Sequence, residues 1–287
     1  MEYEFNELVS LIMPGHTKIN ELNKRVLISI FNQTYQVLEL CILLSGISKI
    51  DFDEWVSFIE NNYGNNKNVQ IIHKENAISP GIARKELIRL SSGKFIVFAD
   101  SDDILDKTLI EKKVKISKTN QVNVVFSNAY VFNHVKYQDK GLDFQRNYKL
   151  NFHLRLLFGN SIFSYMLNYL PNSGTLILKN NDTLDALNNY PTEKHEDFIF
   201  FSRLFKKNIK LALIDEPLIS YYINNRTTTG NKFSSRLWHY YATKKIFPNE
   251  KNLKLFFITL IGTLAIILIR VFHRFKKIRN TNSVLIY

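Results

Sequence analysis

Asp100, Asp102 and Asp103 crowd three carboxylates around Ser101, directly after 94–99, a short apolar run that reads as a fully buried strand. In an open α/β sheet, ligands bind just beyond the carboxyl ends of the strands. Closely spaced carboxylates at such an end can hold a hard divalent cation through oxygen ligands, and the cation can in turn hold a diphosphate. That chemistry suggests a site for a nucleotide-sugar. The same aspartates also suit the cap of a helix beginning near Lys107, because a carboxylate accepts from the free N–H groups there. Farther along, Glu196 and Asp197 form a second acidic pair at the start of another apolar-periodic stretch. Carboxylates there complement a helix dipole.

The elements that must position these groups are legible as a rhythm. Apolar runs at 8–13, 38–44, 69–73, 95–99 and 122–126 predict strands. Between them, Leu22, Val26, Leu27 and Ile30, then Phe52, Trp55, Val56 and Ile59, and then 82–90 recur at helical spacing. This alternation predicts a largely parallel sheet with helices on both faces. After 126 the rhythm breaks, and 133–169 reads as a helical insertion. Further strands are expected at 175–178, 209–214 and 217–223, with a helix entered near Glu196.

Several motifs occur in a fixed order between Val9 and Thr229: Val9-Ser10-Leu11-Ile12-Met13-Pro14, Ser29-Ile30-Phe31-Asn32-Gln33-Thr34-Tyr35, Asn76 followed by Gly81-Ile82-Ala83-Arg84, the stretch 92–103, His195-Glu196-Asp197-Phe198, and Pro217-Leu218-Ile219-Ser220-Tyr221-Tyr222. This series resembles glycosyltransferase family 2, the inverting enzymes with a GT-A fold. The resemblance implies a Rossmann-like α/β architecture, a mixed, mainly parallel sheet flanked by helices. It implies that Asp100 and Ser101 contact the ribose or sugar of the donor, and that Asp102 reaches a Mn²⁺ or Mg²⁺ ion bridging the two phosphates, with Asp103 a second candidate ligand. Arg84 would lie near the diphosphate or sugar, and Pro14, His16, Ser45 and Asn76 would line the donor site. The general base would be Asp197, with Glu196 beside it as the other candidate. One departure stands out. Where the family usually carries Asp-Asp-Gly-Ser after the second strand, this chain has Leu44-Ser45-Gly46-Ile47-Ser48. The base-recognising aspartate is replaced by Ser45, which leaves the nucleotide open, with a UDP-sugar as the default.

Composition bounds the rest. A chain of 287 residues, 45% hydrophobic and 22% charged, can bury one large core or two modest ones. Cys41 is the single cysteine, so no intrachain disulfide forms. The acidic start, Met1 to Glu7, lacks the basic region and apolar core of a secretory signal. A net charge of +12 calls for an anionic partner; no nucleic-acid motif accompanies it, and much of the C-terminal charge, at 270–279, follows an apolar run at 255–269. As a helix that run would span about 22 Å, short of the roughly 30 Å hydrocarbon core. A helix lying in the inner leaflet fits this length and its basic flank. A helix packed on the catalytic domain and a single short transmembrane helix are the alternatives.

The expected organisation is therefore a GT-A domain over 1–230, with a nucleotide-sugar-binding half at 1–127 and an acceptor-binding half at 128–230. A C-terminal apolar and basic helical segment at 231–287 would meet the anionic inner-leaflet surface through 253–279. The expected protein is an inverting, metal-dependent transferase at the cytoplasmic face of the inner membrane, peripheral or monotopic. It would extend a lipid-linked glycan of the O-antigen, capsule or lipo-oligosaccharide type, with no nucleic-acid partner. A soluble or protein acceptor, and a catalytically impaired nucleotide-sugar-binding or scaffold protein, are the rival readings.

Overall fold

Strands buried on both faces need no polar alternation, and β1 (Val9–Gly15), β2 (Leu38–Ser45) and β4 (Phe95–Phe98) are almost wholly buried along their length. The computed structural model describes residues 6–64, 68–133, 142–146, 173–207, 209–223, 240–249, 251 and 284–286. With β3 (Asn68–Lys74), these strands pair in parallel in the order β3-β2-β1-β4, so all four carboxyl ends open on one edge. The connections are α1 (Glu21–Phe31), α2 (Lys49–Tyr63) and α3 (Pro80–Leu90). Each begins with a polar cap: Asn20 accepts from the N–H groups of Leu22 and Asn23, Ser48 from Asp51, and Ser79 from Ile82.

Beyond β4 the sheet changes character. A short β5 (Asp103–Leu105) is followed by α4 (Leu109–Asn120), β6 (Val124–Asn133), β7 (Leu142–Arg146), β8 (Leu176–Leu178), α5 (Asn181–Asn188), α6 (Glu196–Lys206), β9 (Leu211–Ile223) and β10 (Val284–Ile286). The strand order is β10-β9-β6-β8-β4-β1-β2-β3, with β8 antiparallel to both β4 and β6. The sheet is thus mixed and mainly parallel in its first half, as expected.

Several elements differ from the sequence reading. The strands expected at 209–214 and 217–223 are one continuous β9, whose register against β6 shifts around Asn128 and Pro217. Proline has no N–H to give the ladder, which is why the periodicity breaks there. Within the expected helical insertion, 142–146 is a strand on β6; the remainder of 134–172 lies outside the described residues. A helical stretch over 240–246 buries Ala242, Thr243 and Ile246 in the main core, and β10 pairs with β9. These parts of 231–287 pack on the same sheet and core as the elements before them. The run at 253–279 lies outside the described residues, and among the described residues no helix is long and apolar enough to cross a membrane.

At the sheet edge opposite the carboxyl ends sits a buried carboxylate that holds the domain together. Glu39 is 1% exposed and accepts from the Ser10 hydroxyl, from the Ser92 N–H and hydroxyl at 2.6 Å each, and from the Gly93 N–H at 3.1 Å. Burial pushes its carboxyl up, but these donors outweigh burial and hold it below the ordinary carboxylate value. Its stabilisation is complete above the ordinary carboxylate pKa and is lost as pH falls through the depressed folded value. Glu39→Gln turns one acceptor into a donor facing other donors and is expected to cost about 2–4 kcal/mol. Urea unfolding at neutral and acidic pH checks this: the gap between the proteins should narrow in acid.

Candidate active site

Both acidic motifs meet at the carboxyl edge of β4, joined by one arginine. Arg84 sits one turn into α3, and its guanidinium donates to Asp100 Oδ1 at 2.6 Å and to Glu196 Oε1 at 2.5 Å. The side chain is only 8% exposed, against 25% for Asp100 and 14% for Glu196. Asp100 lies two residues past β4, and Glu196 opens α6 after His195, which adopts left-handed backbone at φ 60°. The planar fork of a guanidinium suits two carboxylates arriving from different elements. Burial opposes the charge on Arg84, but the carboxylates of Asp100 and Glu196 raise its pKa well above normal, so it stays a cation. For Glu196, burial is the largest influence and raises the pKa; Arg84 pulls it down, Asp197 and Asp100 push it up, and the balance leaves it at about 7.

The loop carrying the aspartates is fixed from several sides. The Asn23 side chain on α1 donates to the Ser101 carbonyl at 2.8 Å, and the Asp103 N–H reaches back to the Asp100 carbonyl at 3.2 Å. The family-like stretch around Gln33 proves to be scaffolding for the segment that follows. The Gln33 amide donates to the carbonyl of Asp106 at 2.8 Å and its oxygen accepts from the Ile110 N–H, while the Ser29 hydroxyl accepts from Leu105.

The expected metal ligands separate. Asp102 is partly exposed at the strand end, whereas Asp103 is fully buried on β5 against β9. Burial, then Asp102 and Asp100, push the Asp103 carboxyl well above its ordinary value, with Ser173 and the Tyr222 backbone opposing. Asp103 is 0% exposed, and neither carboxylate oxygen has a hydrogen-bond partner among the described residues. Among the described residues no three His, Cys, Asp or Glu side chains form a ready-made cage. A partly exposed carboxylate at Asp102 beside Asp100 fits the usual Mg²⁺ arrangement, in which one or two carboxylates bind and substrate phosphates and water complete the shell.

The remaining donor-site candidates share this edge. Pro14 lies in β1 and the exposed His16 follows it; Ser45 ends β2, buried, with its hydroxyl 3.5 Å from the Ile78 N–H; Asn76 is exposed on the loop after β3. Trp55 Nε1 donates to the Thr17 carbonyl at 3.1 Å and steadies the turn behind His16. Asp197 follows Glu196 in the first turn of α6, and its Oδ1 accepts from the Phe198 N–H at 2.7 Å. A cavity of about 490 Å³, lined in part by Glu7, Lys94, Lys118 and Lys210, opens at the opposite edge, where β4 and β9 begin, and is not part of this site.

Two residues that motif reading did not assign matter here. Gly81 lets the start of α3 touch the 191–196 loop: a Cβ there would lie 2.5 Å from the Pro191 carbonyl oxygen and 2.9 Å from the Thr192 Cα. Ser79 stitches the same junction by donating to the Thr192 carbonyl at 2.9 Å. Backbone atoms cannot yield as a flexible side chain can, so Gly81→Ala should destabilise the protein by about 1–3 kcal/mol. By displacing Glu196 it should also lower kcat by on the order of 10²-fold. Thermal unfolding and steady-state rates check the pair of effects. The second residue, Tyr190, carried no motif signal; a buried aromatic next to Pro191 reads as ordinary core.

This arrangement of a mixed sheet, carboxylates beyond β4 and a facing acidic helix start is the GT-A architecture of nucleotide-dependent glycosyltransferases. The sequence model of glycosyl transferase family 2 matches residues 10–169, and the chain belongs to that family. It is a glycosyltransferase. The match includes Arg84 and Asp100 to Asp103 but stops short of Glu196 and Asp197. An uncharacterized glycosyltransferase of Haemophilus influenzae is 28% identical over 238 residues, covering 80% of this chain and 85% of its own length. The Escherichia coli UDP-Glc:alpha-D-GlcNAc-diphosphoundecaprenol beta-1,3-glucosyltransferase WfgD is 25% identical over 126 residues, 44% of this chain and 47% of that protein. The fold is shared with the mannosyltransferase PcManGT of Pyrobaculum calidifontis, solved in complex with GDP-Man and Mn²⁺, at a TM-score of 0.57 and 13% identity over 91% of this chain and 75% of that one.

Proposed function

We propose that this protein is an inverting glycosyltransferase that moves a sugar from a nucleoside diphosphate sugar to a hydroxyl of a lipid-linked glycan. The observation that carries the reading is the bridge from Asp100 through Arg84 to Glu196, which ties the donor-side aspartates to the acidic helix start at fixed spacing. Asp100 and Ser101 bind the ribose or sugar, and Pro14, His16, Ser45 and Asn76 shape the pocket for the base. Asp102 would hold Mn²⁺ or Mg²⁺, and the ion would supply positive charge against that growing on the departing diphosphate. Asp197 takes the proton of the acceptor hydroxyl as its oxygen bonds to the anomeric carbon and the carbon–phosphate oxygen bond breaks on the opposite face. One displacement inverts the anomeric centre, and no covalent enzyme intermediate forms.

Arg84 is committed to two carboxylates in this scheme, so it positions the site rather than clamping phosphate directly. The lipid-linked acceptor is supported by the likeness to WfgD and by the apolar run and basic flank at 253–279, which suit the anionic cytoplasmic face of a membrane. An O-antigen, capsule or lipo-oligosaccharide intermediate is the acceptor class this favours. Because Ser45 supplies no carboxylate to a base, the nucleotide is the first thing to measure. Calorimetric titration with UDP, GDP, dTDP and CMP, with and without Mn²⁺, should find one nucleotide whose binding needs the metal and weakens about tenfold or more in Asp102→Ala, the worth of losing a charged ligand. No binding of any of them overturns the donor-site reading. Full-length protein should also pellet with phosphatidylglycerol vesicles and stay in solution with neutral ones; equal behaviour overturns the membrane part.

A further inference from the structure

Tyr190 presents a buried hydroxyl that its packing does not require. The residue follows α5 and is 1% exposed, its ring 4.8 Å from that of Phe200 and 5.6 Å from that of Phe98. Among the described residues the hydroxyl has no hydrogen-bond partner. A phenylalanine would fill the same aromatic enclosure without burying an unpaired polar group, so the hydroxyl costs stability in this arrangement. It lies in the field of Arg84, Glu196, Asp197 and Asp100, and burial, the largest influence, keeps the phenol protonated and therefore a donor. Two of those carboxylates share one guanidinium, and Asp100 is the one the proposed donor would recruit.

We infer that Tyr190 is a positioning residue whose hydroxyl donates to the Glu196 carboxylate as Asp100 turns from Arg84 toward the donor sugar. The inference rests on the proposed function. It explains how the acidic start of α6 keeps its place when the bridge through Arg84 is relaxed on its donor side. Phe98 ends β4 two residues before Asp100 and packs on the Tyr190 ring, so the strand that presents the donor-side carboxylate also fixes the phenol.

The test is Tyr190→Phe in the full-length protein, read in two ways. Without nucleotide its thermal midpoint should equal or exceed that of the wild type, because a desolvated hydroxyl has been removed. In transfer, kcat should fall about tenfold, the scale of one hydrogen bond to a charged group, while the donor KM stays within about twofold. A lower midpoint with unchanged kcat makes Tyr190 a packing residue and overturns the inference while leaving the function standing. A wild type that binds none of the four nucleotides and transfers no sugar overturns both.

Discussion

Arg84→Met should cost the protein its activity and about 3–5 kcal/mol of stability at once, the usual penalty for removing one partner of a buried ion pair. The guanidinium is 8% exposed and holds two carboxylates from elements distant in sequence. Without it, Asp100 and Glu196 face each other in a poorly solvated space, and their repulsion drives Glu196 to take a proton or the loop to swing out. Either response moves the donor-side aspartate away from the acidic helix. Arg84→Lys is not a conservative repair, because one ammonium cannot offer parallel N–H groups to two carboxylates arriving from different directions. The double variant Arg84→Met with Glu196→Gln should recover part of the stability and none of the activity, since it removes the stranded charge without restoring the bridge. Chemical denaturation and transfer rates on the three variants decide the matter. An Arg84→Lys protein with wild-type kcat and midpoint would make the bridge incidental.

What the sequence made legible follows from which forces are local. Strands β1, β2 and β4 were readable as unbroken apolar runs because both faces of a parallel sheet are covered, and the aspartates after β4 were readable because ligand sites form at that edge. The role of Arg84 was only half readable. A helical arginine near the aspartates after β4 suggests phosphate, and nothing in the order of residues reports that Glu196, 112 positions on, arrives to claim one arm of its fork. The burial of Asp103 was unreadable for a related reason: its neighbours in sequence suggest a ligand, and only the pairing of β5 with β9, Asp103 opposite Tyr221, reports that it is buried. β10 and the stretch at 240–246 stayed hidden because a short edge strand and a single packed turn or two carry too few apolar residues to set a period. Tyr190 looks like any other core aromatic until the charges around its hydroxyl are known.

Asp197→Asn should lower kcat by on the order of 10³-fold while leaving nucleotide binding intact, the range for loss of a general base. The assignment to Asp197 over Glu196 is now a matter of availability. Glu196 spends an oxygen on Arg84 at 2.5 Å, sharing that guanidinium's fork with Asp100, whereas Asp197, one residue later, accepts from the Phe198 N–H through Oδ1. Glu196 should announce itself differently, through pH. Because burial raises it to about 7, it is ionised above that value and neutral below it, and a neutral carboxyl releases its hold on the Arg84 cation. Wild-type kcat should therefore climb as pH rises through about 7, with Arg84, Asp100, Asp197 and Tyr190 the charged and polar groups that set the midpoint. Glu196→Gln should lose that limb and retain measurable turnover, since its amide still accepts from the guanidinium. An inactive Glu196→Gln beside a fully active Asp197→Asn reverses the roles: the residue with the raised pKa is then the base, and its neighbour in α6 is the support.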